Sequence, residues 1–225
     1  MTTIFKNDNL ECIKTPNTNK FFIQFKSYTE QNAALIRSLV KTRIIQGATA
    51  TLTRDYLTIK FQAHSVTTLN TSLSIPDAAN HLKTLATQLN YLLQYESKTI
   101  IGYAPSQIIV INDTTPAFLG SEFIADLDYE SDLATICCPF SPLKDFFPAP
   151  ELLKITRIPA KIHYKVAYYS LATLIIYTLN KETTSEPNIN PIKYLDTHPI
   201  KNTKLYWLLS RCLEEDPNER SIIFI

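Results

Sequence analysis

Leu213-Glu214-Glu215-Asp216-Pro217-Asn218-Glu219-Arg220 follows the last periodic segment of the chain. Just upstream, Leu205, Leu208, Leu209 and Leu213 recur at helical spacing, which predicts an amphipathic helix over 203–213. Before it, residues 181–200 are polar and hold Pro187, Pro191 and Pro199, the composition of a loop. Residues 164–180 are almost entirely apolar, so a buried helix is expected there. Residues 139–150 carry four prolines and read as an irregular segment prone to polyproline conformation.

The N-terminal half alternates between two periodicities. Phe21-Phe22-Ile23-Gln24-Phe25-Lys26 is aromatic and β-branched, the signature of a strand. Leu35, Ile36, Leu39 and Val40 then repeat at i, i+3, i+4, predicting a helix over 29–43. Strands are expected at 48–53 and 56–62, with Thr53-Arg54-Asp55 as their turn, and a further strand near the N-terminus. Pro76-Asp77 opens the clearest helix, with Leu82, Leu85, Ala86, Leu89, Leu92 and Leu93 on one face. Ile108–Ile111 suits a buried strand, 112–116 a turn, and Phe123-Ile124 a new strand. The predicted class is α+β, strand-rich over 1–65 and mainly helical over 66–225, without internal repeats.

Composition excludes several chemistries. With 225 residues, 45% of them hydrophobic, the chain makes one mid-sized domain or two lobes on one core. Lys+Arg at 22 against Asp+Glu at 21 gives a net charge of +1, so no bulk field attracts nucleic acid or anionic lipid. Tyr168–Leu179 is the longest strongly apolar run and is too short to cross a bilayer. The start MTTIFKNDN has neither the basic opening nor the apolar middle of a signal peptide, so a cytoplasmic protein is expected. Only three glycines occur, Gly47, Gly102 and Gly120, and no two lie within ten residues. Backbone that cradles phosphates needs closely spaced glycines, so P-loop, dinucleotide and glycine-rich-loop motifs are all missing. The adjacent Cys137–Cys138 pair lacks zinc-ligand spacing, and Cys12 and Cys212 stand alone, which suits reduced thiols. His64, His81, His163 and His198 are scattered and read as satisfied structural or surface histidines. No GxSxG elbow supports a serine hydrolase.

The octapeptide at 213–220 resembles the L-x-x-D-P-x-x-R string that follows helix H of protein kinases. Ala149-Pro150-Glu151 is similar to that family's A-P-E, and Tyr169-Ser170-Leu171 to its W-S-L-G. In the family, the A-P-E glutamate and the distal arginine form a buried ion pair. Glu151 and Arg220, about seventy residues apart, are the matching residues. The resemblance extends in order over roughly 20–220. It likens Lys26 to the strand-3 lysine, the 29–43 helix to helix C, Val66–Leu73 to the hinge and helix D, and the 77–95 helix to helix E. It implies a two-lobed kinase-like fold with a reduced β-rich N-lobe, having little room for five full strands, and a helical C-lobe.

The same resemblance implies a disabled site. Ile100-Ile101-Gly102-Tyr103-Ala104-Pro105-Ser106-Gln107 stands where the family has H-R-D-L-K-P-x-N. The base then falls on Gly102, the lysine on Ala104 and the metal-binding asparagine on Gln107. The helix-C glutamate position falls on Asn32, with Glu30 as an alternative partner for Lys26. The helix-F aspartate falls on Ala167, with loss of its hydrogen bonds to the catalytic-loop backbone. Phe123-Ile124-Ala125-Asp126 is similar to K-I-A-D and assigns Asp126 as the metal ligand; a gapless register puts Gly120-Ser121-Glu122 there instead. Asp126 also reads as one of a solvated acidic group with Asp128, Glu130 and Asp132, and Lys26 as a solvated or Glu30-paired strand-end lysine.

Phosphoryl transfer needs positioned phosphates, bound Mg²⁺ and an oriented nucleophile, and these positions fail together. The expectation is a catalytically inactive kinase-like protein, a pseudokinase, with no required cofactor and at most weak ATP and Mg²⁺ binding. It would act as a binding or regulatory module toward a protein partner such as a kinase or kinase regulator. A divergent nucleotide-binding kinase using Lys26 with Asp126 or Glu122 is the enzyme reading, and an unrelated α+β interaction protein is the third. Abundant Ile, Thr, Asn and Lys suggests an A/T-rich genome, as of a large DNA virus, and hence a host-cell cytoplasmic location.

Overall fold

The structure, a computed structural model, describes residues 1–52, 56–69, 72–137, 145–180 and 190–223. The expected turn Thr53-Arg54-Asp55, Cys138, residues 139–144 of the proline-rich segment and residues 181–189 lie outside the described residues.

Five strands form the first sheet: β1 Thr2–Lys6, β2 Leu10–Lys14, β3 Lys20–Phe25, β4 Thr49–Leu52 and β5 Leu57–Gln62. Their order is β1-β2-β3-β5-β4, and every pairing is antiparallel. The reduced N-terminal sheet expected from the sequence is therefore corrected. Strands of only four to six residues fit five into 62 positions, even with α1 between the third and fourth. The register sets Phe21 opposite Phe61, Ile23 opposite Ile59 and Phe25 opposite Leu57. All six are buried, so period-two alternation gives the sheet one apolar face. Helix α1, Glu30–Lys41, lies between β3 and β4 in the chain and buries Leu35, Ile36 and Leu39. Thr29 caps it by accepting from the Asn32 amide at 3.1 Å, and Glu30 and Lys41 suit its two dipole ends.

The rest of the chain is not purely helical. Strand β6, Val66–Thr68, follows at once, and no helix occurs among the described residues of 66–74. The helix-D expectation for Val66–Leu73 is thus corrected. Helix α2, Ile75–Glu96, opens on the Ser74 cap with Pro76 in its first turn and ends at Ser97 in the left-handed region. Its buried stripe carries all six apolar residues singled out from the sequence. Strands β7 Lys98–Ile100, β8 Ile108–Ile111, β9 Thr115–Phe118, β10 Ile124–Asp128 and β11 Leu133–Ile136 follow. After the short helix α3, Pro150–Leu153, comes β12, Ala160–His163. They form two small antiparallel sheets, β6-β8-β9 and β12-β11-β10-β7.

Helix α4, Val166–Leu179, is mostly buried, as its composition requires. Helix α5, Pro191–Thr197, capped by Asn190, replaces loop expected within 181–200. Pro191 at its start is a helix opener rather than a breaker there. Helix α6, Lys204–Cys212, is capped by Thr203. A single hydrophobic cluster runs from Phe5 to Leu213, so one core serves both the large sheet and the helices. Gln88 of α2 ties them: its amide donates to Ser38 Oγ of α1 at 3.2 Å and to the Phe118 carbonyl at 3.1 Å. Its Oε1 accepts from the Phe118 amide at 3.1 Å.

Cys12 and Cys212 are free and buried, which pushes each thiol up to about 12, and Cys137 is exposed. One histidine departs from expectation. His81 is buried on α2, and neither ring nitrogen has a hydrogen-bond partner among the described residues. Burial lowers its pKa, against the nearby Asp77 carboxylate.

Candidate functional site

Between the five-stranded sheet with α1 and the β7–β11 region lies a cleft of about 730 Å³. The turn from β1 to β2 forms one wall. Asn7 Oδ1 accepts from the amides of Asn9 at 2.9 Å and Leu10 at 2.8 Å, an Asx turn that shapes the loop without glycine. This turn reaches across the cleft. Asn7 Nδ2 donates to Gln107 Oε1 at 2.7 Å, and Asn9 Nδ2 to Glu122 Oε2 at 3.1 Å. Lys26 is fastened to the same turn: its Nζ donates to the carbonyls of Asp8 at 2.7 Å and Asn7 at 3.2 Å. The ammonium therefore serves the loop backbone rather than Glu30. Glu30 instead accepts from Arg37, which also makes two bonds to Glu96 on α2, at 2.8 and 2.7 Å. The pairing of Lys26 with Glu30 weighed from the sequence is corrected accordingly.

Asn32, buried at the cleft edge on α1, donates from Nδ2 to the Ser27 carbonyl at 2.8 Å. Its Oδ1 has no partner among the described residues.

The loop between β7 and β8 forms the floor. Gly102 has no space for a side chain: a Cβ there would collide with Cε2 and Cζ of the Phe146 ring. The Phe146 ring stacks on Phe123 with centroids 5.0 Å apart, and both rings are buried. Tyr103 beside Gly102 is fully buried and meets Phe118 edge-on at 5.0 Å. Ala104 is buried, and Gln107 is held by the Asn7 amide. Asp145 secures the loop from outside, accepting from the Ser106 amide at 2.7 Å and hydroxyl at 2.9 Å. The loop backbone keeps a tie to α4 despite Ala167, because Ser170 Oγ accepts from the Tyr103 amide at 2.7 Å. Ala167 itself offers no side-chain acceptor, and a serine one helical turn along supplies one in its place.

Asp126 does not follow the second strand of a hairpin. That hairpin is β8 with β9, turned by 112–114, and it ends at Phe118. Asp126 lies inside β10, opposite Lys98 on one side and Thr135 on the other. Its carboxylate pairs with the buried Lys98 at 2.5 Å. The apolar Phe123-Ile124 that suggested a preceding strand instead spans a 3₁₀ turn and the first residue of β10. Gly120 ends up in the cleft region with Ser121 and Glu122, and a Cβ there would meet Phe118 at 2.8 Å and Phe123 at 2.9 Å. Among the described residues, no three His, Cys, Asp or Glu side chains gather at metal-binding spacing. The Glu122 carboxyl is raised above its ordinary 4.5, first by desolvation; its hydrogen bonds oppose this and the Asp8 charge adds to it.

At the far end, Glu151 and Arg220 meet in a bidentate pair, Nη1 to Oε1 at 2.5 Å and Nη2 to Oε2 at 3.0 Å. Arg220 is fully buried. Its remaining donors reach the carbonyls of Glu214, Glu215 and Lys165, and its guanidinium lies 5.1 Å from the Tyr169 ring centroid.

Sequence reasoning missed Phe146, which sits in the proline-rich stretch and carries no periodic signal. It also missed Asn7 and Asn9. Asn-Asp-Asn at 7–9 is turn chemistry, and that was the available signal. No protein-family model matches the chain, and no curated protein is similar to it at a significant level.

Proposed function

We propose that the chain is a pseudokinase, a kinase-like protein without ordinary phosphotransfer that works by binding and regulating a protein partner, such as a kinase or a kinase regulator. The observation that carries this reading is the Phe146 ring over Gly102. At the position the resemblance assigns to the catalytic base, the chain has neither a side chain nor room for one. A base must lie within hydrogen-bond reach of the proton it accepts, and a packed phenyl ring removes that possibility.

Other features support it. A five-stranded antiparallel sheet with one helix before its fourth strand, a long second helix, and the Glu151–Arg220 pair all agree with the element order of the resemblance. The short β8–β9 hairpin favours the gapless register, which assigns the metal-binding position to Gly120 instead of Asp126. That position is also closed to a side chain. Of the residues that the enzyme reading uses, Lys26, Asp126 and Glu122, the first two are engaged by loop carbonyls and by Lys98.

Thermal denaturation with ATP, ADP or GTP, each with and without Mg²⁺, tests the reading. A native-state ligand at a hundredfold excess over its Kd adds about 2.7 kcal/mol. A flat melting temperature at millimolar nucleotide is the expected result. A Mg²⁺-dependent rise with any of them would overturn the dead-site reading.

A further inference from the structure

The cleft has an unusual balance of groups. Asn7, Asn9, Gln31, Asn32 and Gln107 line it with carboxamides, and Asp8, Glu122 and Asp126 with carboxylates. No lysine or arginine among the described residues lines it. Two ammonium groups that bond to lining residues are engaged. Lys26 is held by the carbonyls of Asn7 and Asp8, and Lys98 is paired with Asp126. Asp8 and Glu122 have no ion-pair partner among the described residues, and the Asp8 charge disfavours ionisation of Glu122. A buried acceptor, Asn32 Oδ1 at the cleft edge, adds an unmet demand for a hydrogen-bond donor. Buried polar groups are nearly always paired, so an orphan acceptor on a residue that lines a cleft of ligand size points to something that donates there.

We infer that this cleft binds an organic cation, a guanidinium or alkylammonium head that donates to Asn32 Oδ1 and is neutralised by Glu122 and Asp8. Such a head supplies several N–H donors and a positive charge together, which is what the wall lacks. A phosphate-bearing ligand brings the opposite charge and only acceptors, and would face two unpaired carboxylates. Ile101, Phe123 and Ile136 provide apolar surface for the carbon chain of the ligand. The inference rests on the cleft alone, not on the pseudokinase reading. The head group has two natural sources, a free polyamine-like molecule or a basic side chain of a protein partner.

Calorimetric titration at constant ionic strength tests it, with agmatine, spermidine and a capped Gly-Arg-Gly peptide as probes. Tetramethylammonium serves as the cation without N–H donors. Saturable binding of at least one N–H cation, with none for tetramethylammonium, is expected. Tighter binding of agmatine or spermidine identifies the free-molecule source, and tighter binding of the peptide the side-chain source. Glu122→Gln and Asn32→Leu should each weaken that binding about tenfold, the scale of one charge-assisted hydrogen bond. Thermal melts of both variants establish that they are folded. Absence of saturation at about 10 mM of every probe overturns the inference, as does tetramethylammonium binding equally well or unchanged affinity in both folded variants. Nucleotide binding is measured separately, so a failed cation arm and a failed dead-site reading give different results.

Discussion

Only a hydrogen atom fits at Gly102, because the Phe146 ring already occupies the space a Cβ would take. The φ of this glycine is not positive, so its conformation is open to other residues and packing alone excludes them. Gly102→Ala should therefore destabilise by about 1–3 kcal/mol, the usual cost of overpacking a filled core. In a Phe146→Leu background the penalty should shrink, since the smaller side chain frees the site. Urea midpoints of the four proteins measure this coupling. Equal penalties in both backgrounds would mean that the ring is not the obstacle. Glu122 sets a different balance. Its folded-state pKa lies above the ordinary 4.5, so the folded protein binds that proton more tightly than the unfolded chain. Ionisation therefore works against folding above that raised value, and the cost disappears below the ordinary one. Glu122→Gln, which keeps an acceptor for Asn9, should melt higher than the parent at pH 7 and converge with it near pH 4. A melting series over that range would refute this if the gap stayed constant.

The four longest helices declared themselves and sheet partners did not. Residues 29–43, 77–95 and 203–213 carry a local apolar rhythm and 164–180 a nearly unbroken apolar run, and α1, α2, α6 and α4 occupy Glu30–Lys41, Ile75–Glu96, Lys204–Cys212 and Val166–Leu179. Strand β12 is four residues long and pairs only with β11, across the whole α3 segment, so no single window of sequence displays it. Asp126 shows the consequence. An apolar pair followed by an acid looks the same at the end of a hairpin and inside a strand, and only the non-local partner Lys98 separates the two. Phe146 and Gly102 are likewise joined across the fold and not along the chain. Gln88 sits among the hydrophobic residues of α2, fully buried, because it replaces a strand partner for the backbone of Phe118. Gln88→Met preserves its length but leaves the Phe118 N–H and C=O without that partner. At about 1–3 kcal/mol for each buried group left unpaired, the variant should lose stability measurably in chemical denaturation. A change below about 0.5 kcal/mol, the range of an ordinary surface substitution, would mean that water or another group replaces the amide.

Across the whole molecule, polar links and one apolar cluster bind the sheet to the helices. Arg37 reaches Glu96, Gln88 reaches Ser38, and the β1–β2 turn reaches Gln107 and Glu122. The core runs through both parts without interruption. Such a molecule should unfold as one cooperative unit, with calorimetric and van't Hoff enthalpies equal. The Glu151–Arg220 pair offers a way to test this from one end. Arg220 is fully enclosed, and removing its carboxylate leaves a buried charge with only carbonyl partners. Breaking a buried pair in this way costs about 3–5 kcal/mol. For a chain of this length each kcal/mol moves the midpoint by about 2–4 °C, so Glu151→Ala should lower it by roughly 6–12 °C at the lower end of that cost. If the core is continuous, the entire transition moves and stays single. If the sheet and the helical part fold independently, a second transition will persist near the parent temperature, reporting the sheet that the substitution does not touch. Differential scanning calorimetry of the variant distinguishes the two, because it counts transitions as well as locating them.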